Sequence, residues 1–75
     1  MFSSLDVRYH ALVQELLTKP VWAISDVRTV ATKMKLMPGA ILEAVNSWSE
    51  EQFGDYLITE EEDWRINAKL IEGAN

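Results

Sequence analysis

Cysteine is absent from the 75 residues and histidine occurs once. The first absence removes disulfides, thiolate nucleophiles and cysteine-based zinc sites; the second leaves no partner imidazole for a histidine zinc site. His10 reads as lying on the outer side of a first helix, without a nucleophile or ligand companion in sequence. Long apolar runs are also missing: stretches such as Val21 to Ile24 span a few residues, and the N-terminus has neither a basic leader nor an apolar one. The chain therefore reads as neither secreted nor membrane-inserted, and as cytoplasmic. There is no glycine-rich phosphate loop, and Ser3, Ser4, Ser25, Ser47 and Ser49 sit in capping or helical contexts without glycine-bracketed nucleophile patterns. Without those groupings the sequence reads as non-catalytic.

Positive charge is scarce as well. Seven Lys and Arg against twelve Asp and Glu leave a net charge of -5. Such a chain repels phosphate backbones, so basic protein surfaces or cations are its better partners and nucleic acid is disfavoured. The length allows one domain, residues 1–75. A domain this short buries only about 60–65% of the surface its unfolded chain exposes, so its core must be dense in large side chains. An apolar content of 48% with three tryptophans supplies that density.

Leu5, Tyr9, Leu12, Val13, Leu16 and Leu17 recur at helical spacing and predict a first helix, with Ser3 and Ser4 as candidate N-caps, Asp6 at its positive end, Lys19 at its negative end and Pro20 as its stop. Pro20 to Ile24 favours extended backbone and a very short strand. Ser25 and Asp26 read as the cap and first turn of a second helix through Val27, Val30, Ala31 and Met34, with Arg28, Lys33 and Lys35 outward. Leu36-Met37-Pro38-Gly39 breaks the pattern, since proline disfavours helical backbone before it and fits the first position of a new helix. A third helix then carries Ile41, Leu42, Val45, Trp48 and Phe53 and ends at Gly54. Asp55 to Thr59 and Trp64 to Asn67 form a hairpin joined by Glu60 to Asp63, and Asn67 caps a last turn holding Leu70 and Ile71. The fold class expected is mainly α with a small β-hairpin, α+β, in the order of a winged-helix domain: three helices with a C-terminal wing.

In a DNA-reading domain of that order the third helix needs Arg, Lys, Asn or Gln aimed at bases and phosphates. From Pro38 to Phe53 there is no Lys or Arg, while Glu43, Glu50 and Glu51 are present, and the wing tip is Glu60, Glu61, Glu62 and Asp63. The acidic wing, with Asp55 and Glu43 brought in by folding, offers oxygen ligands suited to a hard cation such as calcium or magnesium. A solvated acidic tip is the commoner use of such a run, and alternate side chains on extended backbone face opposite ways. Of the tryptophans, Trp22 and Trp48 are expected in the core, and Trp64 half exposed as an edge offered to a partner.

The block Leu36-Met37-Pro38-Gly39-Ala40-Ile41-Leu42-Glu43-Ala44-Val45-Asn46-Ser47-Trp48, then Phe53-Gly54-Asp55-Tyr56-Leu57-Ile58 and an acid-rich stretch, resembles the C-terminal domain of the TerB tellurite-resistance family. Leu5-Asp6, Arg8-Tyr9, Leu16-Leu17 and Trp22 are similar to that domain's opening, so the resemblance spans most of the chain. Gly39 and Ala40 stand where the family pattern has an acidic residue and then glycine. The resemblance implies a bacterial stress-response accessory domain that commonly ends a longer protein. It also implies a metal-chelating role, for which Glu43 and the hairpin residues Glu60, Glu61 and Glu62, with the neighbouring Asp63, are the candidate ligands.

Three functional readings follow from these residues. The first is a protein-interaction module that uses an acidic third helix and wing, with Glu43, Asn46, Glu50, Glu51 and Trp64 facing a basic protein or other domains of its parent. The second is divalent-cation binding. The third is nucleic-acid binding through Arg28, Lys33 and Lys35 on the second helix.

Overall fold

A computed structural model of the chain describes residues 4–73. It is α-rich with one small antiparallel sheet. A 3-10 turn, Val7–Tyr9, runs into α1 (His10–Leu16); β1 (Val21–Ala23), α2 (Ile24–Lys33), α3 (Pro38–Phe53), β2 (Ile58–Glu60), β3 (Asp63–Ile66) and α4 (Lys69–Gly73) follow. The sheet order is β1-β3-β2, so the strand after α1 and the hairpin after α3 join through β3. Trp22 of β1 and Glu60 of β2 both pair with Trp64.

The first helix begins differently from its periodicity. Asp6, not a serine, caps it: its carboxylate accepts from the Arg8 amide at 3.0 Å, in non-helical backbone with φ -51° and ψ 133°. Leu5 precedes the helix yet lies in the core. The Ser4 hydroxyl accepts from Gln52 Nε2 at 2.9 Å, tying the N-terminal segment to α3, and Ser3 lies outside the described residues. His10 is half-buried rather than outward, its Nε2 2.7 Å from the Leu5 carbonyl oxygen. In α2, Ala23 is the N-cap and makes no side-chain bond, so Ser25 lies inside the first turn with Asp26.

The end of α2 carried no glycine signal. Lys35 takes the left-handed position there, at φ 59°, while the Leu36 amide reaches the Ala31 carbonyl and the Lys35 amide that of Thr32. This is a Schellman closure with lysine where glycine is usual, at a cost of about 1 kcal/mol. α3 matches its sequence signals closely: Pro38 opens it, and Gly54 closes it at φ 79°, donating to the Glu50 carbonyl.

Ile41, Val45 and Trp48 are the buried stripe of α3, and they meet Leu12, Val13 and Leu16 of α1, Val27 and Ala31 of α2, and Trp22, Leu57, Ile58, Trp64 and Ile66 from the sheet region in one core. All three tryptophans are buried. Trp64 is only 1% exposed, which corrects the half-exposed placement expected for it. The reason is its position on the central strand: β3 alternates so that Trp64 and Ile66 point to the core and Arg65 points out. The indole N–H of Trp22 donates to the Leu16 carbonyl at 3.0 Å, and that of Trp64 to the Glu60 carboxylate at 3.3 Å, so each ring is buried with its polar edge satisfied.

Candidate functional site

Residues 39, 42, 43, 46, 47 and 50 recur at the three- and four-residue spacing of a single helical stripe, and on α3 this stripe lies away from Ile41, Val45 and Trp48. Between the stripe and Tyr56 lies an open groove of about 410 Å3, walled by Gly39, Leu42, Glu43, Asn46, Ser47, Glu50 and Tyr56. Leu42 is half-buried and gives the groove an apolar part, while Glu43 and Glu50 are exposed. Tyr56, 51% exposed, stands at the opposite wall.

The backbone around Tyr56 is held residue by residue. Ser49, fully buried, donates its hydroxyl to the Asp55 carbonyl at 2.9 Å and accepts from the Leu57 amide at 2.8 Å. The Asp55 carboxylate accepts from the Tyr56 amide at 2.8 Å. Asn46 then clamps Ile58 through both amide atoms, Nδ2 donating to its carbonyl at 2.8 Å and Oδ1 accepting from its amide at 2.9 Å. Because β2 pairs with β3 on its other side, the Asn46 carboxamide does for Ile58 what a further strand would do, blunting the sheet edge. Residues 55–57, expected as strand, are thus an ordered connection stitched to α3 instead.

The sequence-derived candidates separate into three groups. Glu43, Asn46 and Glu50 come together in the groove, although Asn46 spends its side chain on Ile58. Glu51 is exposed on α3 but outside the groove wall, and Trp64 belongs to the core and offers no free edge. Of the wing acids, Glu60 and Asp63 lie in strands rather than in the connection; Glu60 accepts from the Trp64 indole and Asp63 pairs with Arg65 at 3.5 Å. Glu61 and Glu62 alone form the exposed turn. Among the described residues no group of three or more His, Cys, Asp or Glu is placed to hold a metal ion, so Glu43, Glu60, Glu61, Glu62 and Asp63 do not converge on a shared centre as they stand. Arg28, Lys33 and Lys35 are all exposed and make no ion pair among the described residues.

Sequence reasoning missed Tyr56, Leu42 and Ser47 as groove walls, and Ser49 as the residue that positions Tyr56. The stripe itself was legible at helical spacing; the return of residues 55–58 across it was not. One carboxyl is perturbed outside this region: the Asp6 carboxyl lies below its ordinary 3.8, held there first by the Arg8 backbone amide and then by the Arg8 side chain.

No curated protein and no solved structure matches the chain. The family model of the TerB-C domain matches residues 2–74, which is nearly the whole length, and on that match the chain belongs to the TerB-C domain family.

Proposed function

We propose that this tellurite-resistance-associated accessory domain is a non-catalytic interaction module whose binding face is the outer stripe of α3 with its groove. The observation behind this reading is that the groove is walled by two exposed carboxylates, Glu43 and Glu50, and an exposed tyrosine, on a surface with no neutralising cation: no ion pair among the described residues reaches either glutamate. Its partner is a basic protein surface, either a separate protein or another domain of the same parent, meeting it inside the cytoplasm. The order α1, β1, α2, α3, β2, β3 supports a winged-helix-like arrangement in which α3 and the hairpin hold the places that bind in such domains.

Charge reversal tests it. Replacing Glu43, Glu50 and Glu51 together by lysine is expected to abolish retention on immobilised basic peptides at about 0.1 M salt, where such contacts are still felt. Retention equal to that of the unaltered chain would refute the reading. Two rivals have narrower ground. Cation binding has Glu61 and Glu62 as the uncommitted carboxylates of the wing, and calorimetric titration with calcium and magnesium measures it directly. Nucleic-acid binding falls to Arg28, Lys33 and Lys35, and a gel shift that fades with salt is its signature.

A further inference from the structure

We infer that the α3 groove takes a protein segment with two arginines, one guanidinium against Glu43 and the other against Glu50, with Tyr56 as the stacking wall. This deepens the interaction reading above and rests on it.

Three features select this occupant. Glu43 and Glu50 are seven residues apart on one helix, about 10 Å of rise, a separation suited to two cationic side chains rather than one ion. Side chains two residues apart on an extended segment point the same way about 7 Å apart, and the long stems of arginine cover the remaining difference. Tyr56 supplies the second feature: its ring is half exposed at the wall, and the backbone on either side of it is pinned by Ser49, Asp55 and Asn46. An exposed aromatic face favours a planar guanidinium over an ammonium, and because the backbone that carries it is already held, binding need not order that segment. The third feature is charge. Between Leu36 and Trp64 the chain holds eight acidic residues and no lysine or arginine, no basic residue lines the groove, and no ion pair among the described residues reaches Glu43 or Glu50. The exposed basic residues Arg28, Lys33 and Lys35 of another copy are poor competitors, because each copy brings a net charge of -5 to the encounter.

The experiment uses the whole chain and a blocked peptide, Gly-Arg-Gly-Arg-Gly, followed by amide chemical shifts and by anisotropy of a labelled peptide. Shifts are expected at residues 39–50 and at Tyr56. Replacing both arginines by lysine, or Tyr56 by alanine, is expected to weaken binding about threefold, while Tyr56→Phe retains it. Neutralising Glu43→Gln and Glu50→Gln together is expected to cost about tenfold, and removing one arginine of the peptide about threefold. These substitutions lie on exposed positions, and an unchanged amide spectrum elsewhere verifies the fold. Equal affinity for the arginine and lysine peptides, together with an unaffected Tyr56→Ala variant, overturns the inference; if the triple lysine variant still abolishes binding, the broader reading stands without it. Shifts centred on Glu61 and Glu62, or sedimentation as a dimer through this face, overturn it as well.

Discussion

The molecule up to Lys35 and the molecule from Leu36 to Trp64 handle charge in opposite ways. In the first region five basic residues stand against three acidic ones, and two of those acids are paired at short range: Asp6 with Arg8 at 3.2 Å, and Asp26 with Lys19 at 3.3 Å. Lys19 also lies over the Trp22 ring at 4.3 Å. In the second region eight carboxylates face no internal cation, and only Asp63 reaches one, Arg65, just beyond it. The polar bonds differ in parallel. In the N-terminal region Asp6, Arg8, Lys19 and Asp26 form surface pairs and a helix cap beside the buried Trp22–Leu16 bond, whereas α3 and the hairpin are joined by Ser49 and Asn46, neutral side chains at or near the core. Neutral groups cost less to bury than charges and still satisfy the backbone of residues 55–58. The lesson is a division of labour: buried amide and hydroxyl groups hold these elements together, while the carboxylates of Glu43, Glu50, Glu51, Glu61 and Glu62 enter no ion pair among the described residues.

The strongest way to break this comparison is at Trp64. If the hairpin is held by its core side as described, Trp64→Ala removes a fully buried ring and costs about 3–5 kcal/mol, comparable to the whole stability of a domain this small. The expected outcome is loss of the cooperative thermal transition by circular dichroism. A melting temperature within a few degrees of the unaltered chain would return Trp64 to the surface role its sequence context had indicated.

The next largest effect concerns the stitch itself. Ser49→Ala leaves the Leu57 amide and the Asp55 carbonyl without their partner, and a loss of about 1–3 kcal/mol in urea unfolding is expected. Faster hydrogen exchange at Tyr56 and Leu57 than at the β1–β3 pairing should accompany it. Uniform exchange across both regions would show that Ser49 does not position this segment separately from the core.

The smallest effect lies at the exposed Asp6–Arg8 pair. The folded Asp6 carboxyl is depressed below 3.8, so its contribution is present above the unfolded value and disappears as pH falls through the folded one. Asparagine caps a helix about as well, so Asp6→Asn isolates the charge. The variant is expected to melt slightly lower than the unaltered chain above about pH 4, with the gap closing in stronger acid. A gap that widens on acidification would contradict the pairing.

Much of the fold was legible because its signals are local. Pro38 and Gly54 bracket α3, and the apolar spacing of Leu12, Val13 and Leu16 marks α1. The misreadings share one cause, which is that they concern long-range partners. Glu60 and Asp63 looked like loop residues because carboxylates are poor strand formers, yet pairing with β3 and β1 placed them in strands. Trp64 looked available because a two-stranded hairpin gives a ring little cover; β1 made β3 the central strand, and the face that carries Trp64 packs into the core. Asn46 and Ser49 gave no sign of their work, since nothing within four residues of either accounts for a bond to Ile58 or Leu57.

Composition and periodicity by themselves determined the stripe of Ile41, Val45 and Trp48 that α3 buries and the acidity of the chain from Leu36 to Trp64. These are properties of side-chain chemistry and helical repeat, which need no partner to be read. Only the tertiary structure decided that the opposite stripe of α3 faces Tyr56 across a groove, because that contact depends on residues 55–58 folding back on the helix and being held there by Ser49 and Asn46.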